Sequence, residues 1–102
     1  MIHIRFERTK DGALSGFQVR GHAEFAPSGR DIVCAAVSSA VYMAANTVTE
    51  VLGLSPDITQ RDGRLALSLS QEQAPAASAV LAGLQLHLQA LCRQYPDYIT
   101  LD

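Results

Sequence analysis

Apolar and polar positions alternate from the start of the chain. Ile2, Ile4 and Phe6 face one way and His3, Arg5 and Glu7 the other, the period of two that marks a half-buried strand. Lys10-Asp11-Gly12 signals a turn, and Leu14 to Arg20 returns as a second strand with Phe17 and Val19 on one face, so the two predict a hairpin. Gly21 ends it, and its backbone freedom lets the chain swing sharply into His22. His22 to Arg30, with Pro27 and Gly29 inside it, follows neither period and reads as a mobile loop. From Ile32 to Thr49 no residue is charged, which predicts a helix covered on more than one side. Ala35, Ala36, Ala40, Ala44 and Ala45 allow it close approach to a sheet, a second helix or another subunit, and Gly53 stops it.

Pro56 to Gln60 and Leu65 to Leu69 flank Arg61-Asp62-Gly63-Arg64, whose Asp-Gly pair is a strong hairpin signal. Leu81, Leu84, Leu88 and Leu91 carry a helical period through a second helix from about Ala76 to Tyr95, closed by Pro96. Tyr98 to Leu101 is short and β-prone. The order is therefore ββαββαβ, an α+β two-layer fold in which both helices lie on one face of a five-stranded sheet. A chain of 102 residues, 48% hydrophobic, suits one compact domain spanning residues 1–102.

Charge and cysteine content narrow the function. A formal net charge of -2 argues against a dedicated nucleic-acid surface, so no direct nucleic-acid partner is expected. No long apolar run is free of polar groups, and the opening MIHIRFER has no signal-peptide core, which points to a cytoplasmic protein without a membrane partner. Cys34 and Cys92 are the two cysteines, and a reducing compartment keeps both as thiols. His3, His87 and Cys92 lack ligand spacing, so neither a metal nor another cofactor is argued.

The chemistry concentrates between Gly21 and Val48. Asp31 stands where a helix takes its N-cap, which makes Ile32, Val33 and Cys34 the first three helical positions. A thiol there lies near the positive end of the helix dipole, the thiolate is the nucleophile, and free N–H groups at the helix start are expected to hold the oxyanion. That dipole, worth roughly 0.3–1 kcal/mol, is too weak to ionise a thiol by itself at neutral pH. An imidazolium can supply the rest, and His22 is the candidate that the loop can fold back against Cys34. Ser38, one turn after Cys34, could hold a substrate carbonyl or simply pack. Asp31 is most simply a cap, with orientation of His22 as a lesser role.

The residues GHA at 21–23, Gly29, DIVCAAVS at 31–38 and the pair Asn46-Thr47 resemble the ribosomal-processing cysteine protease family, Prp, over essentially the whole chain. The resemblance implies an endopeptidase with His22 and Cys34 catalytic and Gly21, Ala23, Gly29, Asp31 and Ser38 in supporting or substrate-binding places. It implies a cleft between the first helix and the second strand, and a homodimer. The implied substrate is a large-subunit ribosomal protein with a short N-terminal extension, cut after an aromatic residue before assembly. Glu24 departs from the pattern, which expects a small residue such as glycine and so makes this loop stiffer or more acidic. The rival readings are a non-catalytic ribosome-assembly module that binds the same protein, with Cys34 merely packing, and a thiol redox sensor with no peptide cleft.

Overall fold

The computed structural model describes residues 1–27 and 29–102. The alternating segments form β1 (Ile2–Arg8) and β2 (Leu14–Gly21), paired antiparallel with Ile4 opposite Val19 and Phe6 opposite Phe17. Then come α1 (Ile32–Asn46), β3 (Asp57–Arg61), β4 (Arg64–Ser68), α2 (Ser78–Gln94) and β5 (Ile99–Leu101), the order expected. The strands lie side by side as β3-β4-β2-β1-β5. β5 runs parallel to β1, with Ile2 opposite Ile99, while the other pairs are antiparallel.

The core follows from period. Ile2, Ile4, Phe17, Leu67 and Ile99 project to the helical side of the sheet, where Val33, Val37, Val41, Ala44 and Val48 meet them from the first helix. Leu81, Leu84, Leu88 and Leu91 form the corresponding stripe on α2. Phe17 is wholly enclosed at the centre, and truncating it to alanine is expected to cost about 3–5 kcal/mol. By length and mean hydropathy (1.5 and 1.2) the segments 32–51 and 74–94 are each long and apolar enough to cross a membrane, but here their stripes cover the sheet.

The ends of both helices differ from simple expectation. The first passes at Thr47–Val51 into a π-helical turn in which the Leu52 N–H reaches Thr47 O at 2.9 Å. The hydroxyls of Thr47 and Thr49 donate to the carbonyls of Met43 and Ala45, competition that loosens a regular helical ladder, and Gly53 then leaves at φ 67°. The second is entered through a 3-10 turn, Ala74–Ala77, with Pro75 in its first turn, where the missing N–H costs nothing.

Candidate active site

Gly21 and Ala23 fix the backbone on either side of His22. Gly21 has φ 91°, donates its N–H to Gly63 O at 2.8 Å, and has no room for a side chain because a Cβ would strike the Met1 carbonyl. Ala23 is buried in the core. The exposed His22 ring rests on the tip of the β3–β4 hairpin, so close that a Cβ on Gly63 would stand 2.9 Å from Nε2.

Cys34 is positioned by Asp31. The Asp31 Oδ1 accepts the N–H groups of Val33 and Cys34, both at 3.0 Å, and Oδ2 accepts that of Phe25 at 3.0 Å. Burial works against this charge, but the N–H groups of Cys34, Phe25, Ala26 and Val33 outweigh it and hold the carboxyl below its ordinary 3.8. The cap expected from sequence is therefore present. Its second oxygen also ties down the loop, and neither oxygen bonds to His22 among the described residues.

Within the loop Phe25 makes specific contacts. Besides its N–H bond to Asp31, Phe25 packs edge-on against Tyr98 and Tyr95, with centroids 5.1 and 6.0 Å apart. His22 itself follows directly on the end of β2 at Gly21. Glu24 adopts φ 58°, the only described non-glycine residue at positive φ, which explains physically why glycine suits that position.

The half-buried Cys34 sulfur accepts the Ala23 N–H at 3.2 Å. It opens onto a cleft of about 710 Å³ whose walls include His22, Glu24, Gly29, Ser38 and Asp62. A second cavity of about 170 Å³ shares Cys34 and His22 with the first and is walled by Val19, Val41 and Leu65 together with Arg61 and Arg64. Among the described residues no hydrogen bond joins the ring to the sulfur, although both line the same two cavities, and no three potential metal ligands cluster. The helix start also differs from expectation. The N–H groups of Val33, Cys34 and Ala35 are taken by Asp31, so the nearest backbone donor at the sulfur is Ala23. Sequence reasoning missed Asp62 and Gly63, where Asp-Gly signalled a turn and nothing in the local pattern showed which residue it would meet.

The Cys34 thiol, at the start of a helix and on the wall of a cleft that His22 also lines, has the setting of a cysteine protease nucleophile. The sequence model of the family described as "Cysteine protease Prp" matches residues 1–100, and the chain belongs to that family. The ribosomal processing cysteine protease Prp of Bacillus subtilis is 33% identical over 103 residues, covering 95% of this chain and 92% of that protein. Its namesake in Staphylococcus aureus is 25% identical and spans 100% and 98% of the two chains. The crystal structure of the S. aureus essential ribosomal processing protease Prp with a covalently linked product peptide superposes with a TM-score of 0.91 at 25% identity, covering 100% of this chain and 98% of that one. The same protease with a substrate peptide gives 0.85 at 24% identity, with the same coverage.

Proposed function

We propose that this protease removes a short N-terminal extension from a large-subunit ribosomal protein before assembly, using Cys34 as nucleophile and His22 as general base and acid. The thiol proton passes to the imidazole as the sulfur adds to the peptide carbonyl carbon. The resulting oxyanion collapses, the C–N bond breaks, and His22 protonates the departing amine. Water, deprotonated by His22, then attacks the thioester and restores the thiol. The observation that carries this reading is the Cys34 sulfur, open to the cleft and accepting an N–H. That donor, Ala23, is within reach of an oxyanion forming on the carbon bound to sulfur, and the exposed Ser38 hydroxyl one turn along the helix is the second candidate.

The smaller cavity supports the aromatic preference. Its volume of about 170 Å³ is of the size that takes up an aromatic ring, with Val19, Val37, Val41 and Leu65 offering an apolar side and Ser38, Arg61 and Arg64 a polar one. The covalently linked product peptide of the S. aureus protease is consistent with attack by a thiol. A substrate lying between the Glu24 and Asp62 walls would bring ring and sulfur into register, so the enzyme acts when its own peptide arrives. The whole of residues 1–102 serves as one catalytic domain in the reducing cytoplasm, with Gly29 and Asp31 shaping the substrate loop and no cofactor or direct nucleic-acid contact.

Homodimerisation is proposed through the uncharged outer face of the helices. Ala36, Ala40, Met43, Val80 and Leu84 line an open apolar groove there, and Met43 is 58% exposed. Met43→Glu should give a monomer in light scattering if this face is the interface. For the main reading, mass spectrometry of the extended ribosomal protein after incubation with wild type should show the shortened product, and with Cys34→Ala the intact one. Equal processing by both overturns the assignment.

A further inference from the structure

We propose that Gly63, at the tip of the β3–β4 hairpin, is a positioning residue for the His22 imidazole. This rests on His22 being the base. Three contacts place the hairpin between the two halves of the site. The Gly63 carbonyl accepts the Gly21 N–H at 2.8 Å, fixing the strand end from which His22 projects. Gln60 Nε2 donates to the Tyr42 hydroxyl at 2.7 Å, tying β3 to the helix that bears Cys34. The ring itself lies on the bare face of Gly63, where a Cβ would come 2.9 Å from Nε2 and 3.6 Å from Cδ2 and Cε1. No hydrogen bond holds that ring among the described residues, so the flat glycine surface sets how far it can swing. Because His22 is exposed, an added methyl would displace the ring more readily than it would break the fold. The cost therefore falls on catalytic geometry, where a displacement of about 1 Å is worth up to about a hundredfold.

Gly63 has φ 72°, so alanine there also strains the backbone, and Gly12, at φ 88° with nothing within 4 Å of its Cβ position, provides the matched control. Gly63→Ala should lower kcat about ten- to a hundredfold while KM stays within about threefold, and the His22 ring resonances should move in NMR spectra. Gly12→Ala should keep wild-type kcat and ring resonances despite a similar fall in melting temperature. Gly63→Asn adds the same Cβ in a residue that tolerates the left-handed region, and should reproduce the kcat loss if the alanine variant does not fold. The proposal is overturned if the folded Gly63 variants match Gly12→Ala in kcat, lose activity through KM alone, or leave the ring resonances unmoved. Should His22→Ala retain full activity, the failure lies with the base assignment and not with Gly63.

Discussion

Cys34 and Cys92 are both half-buried, both on helices, and chemically opposite. A backbone N–H can only donate, so the Cys34 sulfur, 3.2 Å from the Ala23 nitrogen, is an acceptor. A carbonyl can only accept, so Cys92, 3.3 Å from Ile99 O, is a donor. One sulfur stands at the start of its helix above a cleft. The other stands near the end of α2 beneath the segment that leads into β5. The same side chain accepts or donates according to which backbone group it meets, and helix membership alone does not distinguish them.

The sharpest way to break this contrast is to remove each thiol in turn. Cys34→Ala is expected to reduce peptide cleavage at least about a thousandfold, whereas Cys92→Ala should leave it within about twofold. Comparable losses from both would show that Cys34 acts through packing. Iodoacetamide should label Cys34 about tenfold faster than Cys92 in native protein, read by peptide mapping, with the difference erased in urea.

Asp31 sharpens the comparison next, since it builds the setting of Cys34 and has no counterpart at Cys92. Its carboxyl titrates below 3.8 in the fold, so its stabilisation is complete above that value and is lost as pH falls through the lower, folded one. Asp31→Asn keeps one acceptor oxygen but loses the charge, and should be less stable than wild type by about 1 kcal/mol at neutral pH. That gap should close in acid below 3.8, measured by paired urea titrations. Smallest of all, Glu24→Gly should raise stability by less than about 1 kcal/mol, because relief at φ 58° is partly offset by the greater freedom of the unfolded chain. A loss of stability there would mean that the Glu24 side chain makes up for its backbone strain.

Most of the architecture was legible because it is local. The alternation of Ile2, Ile4 and Phe6, the stripe Leu81, Leu84, Leu88 and Leu91, and the Asp-Gly turn each announce one element within a few residues. The pairing of Cys34 with a capping Asp31 was readable for the same reason, three positions apart on one turn. Contacts between distant segments were not. No pattern in Arg61 to Arg64 reveals that Gly63 will lie under His22, and none in Phe25 reveals Tyr98 as its neighbour. Nor does spacing show that the cap occupies the N–H groups assigned beforehand to an oxyanion. The loop illustrates the limit most clearly, since nothing in its composition reveals that the Phe25 N–H meets Asp31 or that its ring meets Tyr98.

The parallel alignment of β5 with β1 bears on the order in which the fold can be completed. A ribosome that has made residues 1–94 has already produced His22, Cys34 and Asp31, yet not the strand that completes the sheet beside Ile2 or the tyrosine pair that receives Phe25. The nascent chain thus carries the cap and its thiol before it carries the frame around them, and the sheet can close beside Ile2 only once β5 has been made.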